Sequence, residues 1–297
     1  MENIYVLFNT DANVKKSTGI LAEVDHFLCE RGIEHKTLFS ESRDSATNFV
    51  HELEANGGGK LIVVGGDGTI HNAVNAIRDF DKVSVGFIQG GSGNDLASAL
   101  NIKKDPKDAV QDILTVPEHR MNLIDVGGIK CANVAATGLD VEVLKRRDKM
   151  KFFRGKAKYL VATLITLLKF GSYKLNTVLD GVHRALDGMV VAVGNGRYFG
   201  GGMHVTPHAD PFGDKFGVTT VNAIKKIALP RNLPKFISGK HEKAAKYITH
   251  YFGENLVVTA PEEKDFTVNV DGELYNNIEF DCKLLRGQLR VFVPAKD

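Results

Sequence analysis

Cysteine is scarce. Three thiols, Cys29, Cys131 and Cys282, lie far apart in 297 residues and in no C-x-x-C or zinc-ligand spacing. That excludes a disulfide framework or a small zinc module and reads as reduced, mostly core thiols of a cytosolic protein. A charge excess of one sign is also missing. The 38 Lys and Arg nearly balance 36 Asp and Glu, for a net charge of +2, too mild to argue for a nucleic-acid partner. Long hydrophobic runs are absent: the longest apolar stretch lies within residues 159–170 and is too short to span a bilayer. The opening MENIYVLFNT has no basic region ahead of its apolar strand and no cleavage site, so no signal peptide is expected. No internal repeat or low-complexity segment interrupts the chain.

What is present is an ordinary globular composition, 43% hydrophobic and 25% charged, long enough to bury a core without staples. The first part alternates strand and helix patterns. Strands are expected at 4–8, 33–39, 61–64 and 83–88, with helices at 14–31, 44–55, 69–79 and from Asn94. Such alternation implies a parallel sheet covered on both faces. After about residue 120, strand-like runs follow one another, among them 265–271, 277–283 and 288–293, with helices only at 139–147 and 156–170. Asp-Gly pairs at 180–181 and 187–188 suggest hairpin turns. The expected fold is therefore α/β: a doubly wound N-terminal domain, residues 1–125, and a mostly antiparallel second domain, residues 126–284. No Pro/Gly-rich linker separates them.

The chemistry concentrates where apolar strands end in glycine. Leu61–Val64 runs into Gly65-Gly66-Asp67-Gly68-Thr69, and the strand before Gly90 runs into Gly90-Gly91-Ser92-Gly93-Asn94. A strand that feeds glycines and then a helix lets backbone N–H groups and the helix dipole approach a phosphate. The glycines of 65–69 fit neither G-x-x-x-x-G-K-[ST] nor G-x-G-x-x-G, which disfavours a nicotinamide dehydrogenase. Asp67 would repel a phosphate unless a cation such as Mg²⁺ lies between them. Asn94-Asp95 reads equally well as a helix cap. Asp271-Gly272-Glu273 reads, on its own, as a hairpin turn followed by an exposed acid.

GGDGT at 65–69, GSGNDLA at 91–97 and DGE at 271–273, in that order, resemble the signatures of the diacylglycerol kinase-like lipid kinases. ANVAATGLDVEVLKR (132–146), GNGRYFGGGMHVTP (194–207) and LLRGQLRVFVP (284–294) extend the resemblance over nearly the whole chain. The resemblance implies an NAD kinase/phosphofructokinase-like nucleotide-binding domain, a β-sandwich lipid-acceptor domain and an active site between them. It also implies that the last strand, residues 285–297, returns to the first domain. It implies transfer of the γ-phosphate of ATP, with Mg²⁺, to a lipid hydroxyl. By matching positions, the nucleotide would meet Asn9, Asn13, Ser40, Gly65, Gly66, Asp67, Gly68, Thr69, Asn72, Ser92 and Asn94. Asp67 would carry the catalytic Mg²⁺. Glu273 would be the general base, and Asp271, on the same side of the same strand, would bind metal or orient it.

Some positions depart from the family pattern. Where the family has an apolar residue and then Asn-Glu after GGDGT, this chain reads Ile70-His71-Asn72, and the acid is lost. The acidic pattern of a structural metal site is reduced to Asp214, with Gly217 where a second acid would stand. That site is expected to be altered or absent. Residues 145–158, KRRDKMKFFRGKAK, hold eight basic residues against one acid, and an amphipathic helix follows. Both fit transient contact of a cytoplasmic enzyme with a membrane surface. An exposed sheet edge could also pair two copies. The rival readings are an NAD kinase-like enzyme and a non-catalytic nucleotide or lipid sensor.

Overall fold

A computed structural model describes residues 3–9, 14–40, 42–150, 155–228, 231, 232, 234, 235, 238, 240, 244–260 and 266–294. The chain divides into two compact units, residues 1–122 with 286–297, and residues 123–285.

In the first unit the elements are β1 (Ile4–Asn9), α1 (Val14–Glu30), β2 (Lys36–Ser40), α2 (Arg43–Ala55), β3 (Gly59–Gly65), α3 (Asp67–Ala76), β4 (Val83–Gln89), α4 (Asp95–Ala99) and α5 (Pro106–Thr115). β5 (Glu118–Val126) runs on into the second unit. The strands pair in parallel in the order β2-β1-β3-β4. Val6, Leu7 and Leu61 through Val64 are fully buried, as near-continuous apolar strands covered on both faces must be. The chain leaves β1 for one side of the sheet and enters β3 on the other. Ligands gather at the carboxyl ends of strands where the winding reverses in this way.

The second unit adds β6 (Ile129–Cys131), β7 (Val134–Gly138), α6 (Leu139–Lys149), α7 (Gly155–Lys169), β8 (Tyr173–Leu179), β9 (Val182–Gly194), β10 (Tyr198–Phe199), β11 (Met203–His204), β12 (Phe216–Asn222), β13 (Ile248–Gly253), β14 (Asn255–Thr259), β15 (Thr267–Val270), β16 (Glu273–Asn276) and β17 (Phe280–Phe292). Its pairings are antiparallel: β15 with β16 and β7, β7 with β9, β9 with β8 and β12, and β8 with β14. Alternation along the strands splits the core in two. Val191 and Val193 of β9 face one cluster with Phe216 and Phe280. Val190 and Ala192 face another, filled by Leu144 of α6 and by Tyr159 and Leu167 of α7.

Two glycines depart from the sequence reading. Asp187-Gly188 is not a turn. Gly188 lies inside β9, where the register with β12 shifts between Val221 and Asn222, and a strand glycine often marks such an irregularity. Gly287 does not end a strand either. With φ +54 it takes a left-handed conformation inside β17, its N–H held by Asn122 Oδ1 at 2.8 Å. Residues 280–292 form one strand. Its first half pairs with β14 in the second unit, and Arg290 and Val291 pair with β4 in the first.

Candidate active site

Register brings the first set of candidate residues to one edge. Asn9 pairs with Ser40 at the ends of β1 and β2, and Gly65 pairs with Gln89 at the ends of β3 and β4. The glycine turns therefore start level with each other on adjacent strands, and they touch. Gly90 N–H donates to Gly65 O at 2.9 Å. A Cβ on Gly91 would lie 2.4 Å from the Cα of Gly66, and one on Gly65 would lie 2.5 Å from Thr69 Oγ1. Absent side chains let the two turns pack backbone to backbone and let Thr69 fold over Gly65. α3 starts at Asp67, and its first turn is closed by Thr69 N–H and Ile70 N–H donating to Gly66 O at 3.0 and 3.1 Å; the N–H groups at a helix start point outward, where an anion can accept from them.

Asn94 occupies the left-handed region at φ 55, which asparagine tolerates better than most residues. Its side chain clamps the second turn by accepting from Gly91 N–H at 2.9 Å and donating to Gly91 O at 3.0 Å. Asp67 Oδ1 accepts from Asp95 N–H and Leu96 N–H at 2.8 and 3.2 Å. The acid of the first turn thereby caps the helix that follows the second. A Cβ on Gly93 would lie 2.7 Å from Asp67 Oδ2 and 3.5 Å from Asp95 Oδ2. Two carboxylates thus converge over a residue that must be bare. Sequence reasoning left Asp95 undecided between cap and function. Only the fold shows it beside Asp67.

The other expected residues divide. Ser92 is exposed at the tip of the second turn, and Asn72 is half-buried on α3. Ser40 is buried, and its hydroxyl donates to Ser42 O at 2.8 Å and meets Ser45 Oγ at 3.1 Å. That bonding braces the start of α2. Asn9 ends β1, and Asn13 lies outside the described residues. Asp214 is exposed before β12, and Gly217 packs against Ala209 inside it. Among the described residues the grouping of three possible metal ligands is Asp25, Cys29 and His35, which includes neither Asp67 nor Asp214.

In the second unit Asp271 and Glu273 do not share one strand. Asp271-Gly272 is the turn between β15 and β16, with φ values of 53 and 97, the signature of a tight hairpin turn. The acids consequently diverge. Glu273 is exposed, whereas Asp271 is buried and accepts from the N–H groups of Ala132, Asn133 and Val134 at 2.9, 2.9 and 3.1 Å. Cys131 Sγ also donates to it. Burial first, and the Asp271 charge second, push that thiol well above its ordinary range. Asp271 is therefore an anchor for the turn that precedes Glu273.

Behind the turn, Gly272 N–H donates to Asn269 Oδ1 at 2.8 Å. Asn269 Nδ2 in turn donates to Asp140 Oδ2, and Tyr159 O–H donates to Asp140 Oδ1 at 3.1 Å. Asp140 is 2% exposed. Burial raises its carboxyl to about 6, against the opposing effects of Asn269, Tyr159 and the Arg147 charge. Asp140 and Tyr159 stand on the wall of a cavity of about 70 Å³, otherwise lined mainly by apolar side chains such as Val143, Leu167, Met189 and Met203. No sequence signal pointed to this cavity, because its walls come from helices and strands distant in the chain.

Residues 3–126 match the diacylglycerol kinase catalytic domain, and residues 133–293 match the YegS C-terminal NAD kinase beta sandwich-like domain. A diacylglycerol kinase of Mycobacterium tuberculosis is 30% identical over 240 residues, covering 77% of this chain and 75% of that protein. A protein of Klebsiella pneumoniae named "probable lipid kinase YegS-like" is 26% identical over 287 residues, 92% of this chain and 91% of that one. Among solved structures, a diacylglycerol kinase from Bacillus anthracis has the same fold, with a TM-score of 0.71 at 17% identity over 99% of this chain and 97% of that one. An NAD kinase from Archaeoglobus fulgidus, solved in complex with ATP, matches with a TM-score of 0.53 at 11% identity, over 97% and 92%. With both domain models matched in order, the chain belongs to the diacylglycerol kinase-like family of lipid kinases.

Proposed function

We propose that the chain is an ATP- and Mg²⁺-dependent lipid kinase whose acceptor is a diacylglycerol-like hydroxyl. The observation that carries this reading is the apolar cavity in the unit that bears Glu273. Such walls suit acyl chains and offer little to the polar dinucleotide of an NAD kinase.

In the proposed reaction the lipid oxygen forms a bond to the γ-phosphorus as the bond to the β–γ bridging oxygen breaks, and ADP leaves. The hydroxyl proton passes to the Glu273 carboxylate late in the step and then to water. The paired glycine turns and the start of α3 bind phosphate through backbone N–H groups. Ser92 and Asn72 supply further polar contacts to the nucleotide. The carboxylates that converge at Gly93 fit a hard cation, which takes one or two carboxylates together with substrate phosphates. Asp67 and Asp95 would hold Mg²⁺, which neutralises charge on the β- and γ-phosphates.

Contact with membrane is supported by α7. Tyr159, Ala162 and Leu167 face the core, whereas Leu160, Leu164 and Leu168 form an exposed stripe. Arg146, Arg147 and Lys149 close α6 nearby in the chain. Lys145 and Arg147 are partly matched by Glu142 and Asp148. Phe152 and Phe153 lie outside the described residues.

The test is ATP turnover against a panel of lipids in mixed micelles, with NAD as a further acceptor. Lipid-dependent ADP release is expected, and Glu273→Gln should lower it by about 10²–10⁴ while ATP binding persists. Transfer to NAD would establish the NAD kinase reading. Tight ATP binding with transfer to nothing would establish a sensor.

A further inference from the structure

Asn269 is 1% exposed and Asp140 2% exposed. A carboxylate and an amide so buried are costly unless they are bonded to each other and to their surroundings. Here they form one unbroken line: Gly272 N–H to Asn269, Asn269 to Asp140, and Asp140 to the Tyr159 hydroxyl. One end of the line is the backbone of the turn that presents Glu273. The other end is the cavity wall, since both Asp140 and Tyr159 line it.

The side-chain chemistry fits a relay. An amide presents a carbonyl and an NH₂ at the same time. Asn269 can therefore hold a backbone donor with one end and a carboxylate with the other, which neither an ionised aspartate nor leucine could do. Tyr159 gives the line a rigid outer member. Its ring stands edge-on to Phe199 at 6.0 Å between centroids, and Phe199 also lines the cavity.

We propose that Asn269 is a positioning residue that ties the Asp271-Gly272-Glu273 turn to Asp140 and Tyr159, so that an acyl chain filling the cavity restrains the turn. This inference rests on the lipid-kinase reading for the identity of the occupant. The mechanical link does not.

Hydrogen exchange at the Gly272 amide reads the link directly. In the ligand-free protein at pH 8, Asn269→Asp keeps the acceptor for Gly272 and, ionised, has no proton to donate to Asp140. Tyr159→Phe removes one hydroxyl and nothing else. Both are expected to speed exchange at Gly272 by about tenfold, the change expected for a modest loss of local opening free energy. The amide of Val191, deep in the same unit, should be unaffected. Addition of 1,2-dioctanoylglycerol should slow Gly272 exchange in the wild type and leave Asn269→Asp unchanged. In turnover, Tyr159→Phe should lower kcat with the KM for ATP preserved. Gly272 exchange that is the same in Tyr159→Phe as in the wild type overturns the proposal, whether or not Asn269→Asp folds. Equal slowing by the lipid in wild type and Asn269→Asp also overturns it. Failure of every lipid to accept phosphate, with the ligand-free effects intact, overturns the lipid-kinase reading and leaves the link standing.

Discussion

Glycines 65, 66, 90 and 91 illustrate how one residue type serves two ends. The sequence suggests bare backbone for an anion. The fold adds that the two turns need those positions bare simply to meet. Gly91→Ala would press a methyl group against the Gly66 backbone and should cost about 1–3 kcal/mol. Gly171, which has nothing within 4 Å of an added Cβ, provides the control. Urea unfolding of Gly91→Ala and Gly171→Ala measures the difference.

Asp140 has a signature of its own. Its folded value of about 6 exceeds the reference value of 3.8, so in that window the folded state binds the proton more tightly than the unfolded chain does. Its contribution to stability therefore falls as pH rises from about 4 to about 6 and is constant above that. The difference of roughly two pKa units corresponds to about 3 kcal/mol. Asp140→Asn should gain stability relative to the wild type across that interval and gain no more above it. Unfolding midpoints of both proteins between pH 4 and 7.5 check the sign.

At the scale of elements, the hairpin of β15 and β16 shows how far pattern reading reaches. Strand alternation put Asp271 and Glu273 on one face, and the turn chemistry of Asp-Gly could equally end the strand. The turn prevailed because Asp271 has three backbone N–H groups to satisfy at residues 132–134, where the chain enters β7. Nothing local to residues 265–273 reveals that partner. Asp271→Ala would leave those N–H groups buried without their acceptor. It should destabilise the second unit by about 2–4 kcal/mol, measured by thermal unfolding. For α7 the apolar periodicity was legible, but which leucines face outward was not. Leu164→Asp combined with Leu168→Asp should weaken binding to anionic vesicles at least several-fold. The neutral-vesicle and high-salt arms of the same sedimentation assay separate apolar insertion from charge.

At the scale of the molecule, the division into parallel and antiparallel parts was readable because strand and helix periods differ and change near residue 120. The glycine turns of the candidate site were readable in the sequence, and the buried side chains of the second unit were not. Asn269, Asp140 and Tyr159 are brought together only by the fold, and Asp95 declares itself only beside Asp67. The last strand behaves in the same way. Separate runs are expected at 277–283 and 288–293, yet residues 280–292 form one strand, with the N–H of Gly287 held by a side chain from β5. Ending the chain at Leu285 removes Leu289, Val291 and Phe292, all buried, and bares the edge of β4. Such a truncated chain should lose the cooperative unfolding transition of residues 1–122, seen by circular dichroism, while the same chain carried through residue 294 keeps it.

That strand also sets an order on synthesis. Residues 1–122 emerge from the ribosome long before the segment that closes their sheet. The first unit must wait, with β4 uncovered, until the whole second unit has been made. An exposed strand edge in a nascent chain invites wrong partners. A holding chaperone would be needed most during that interval.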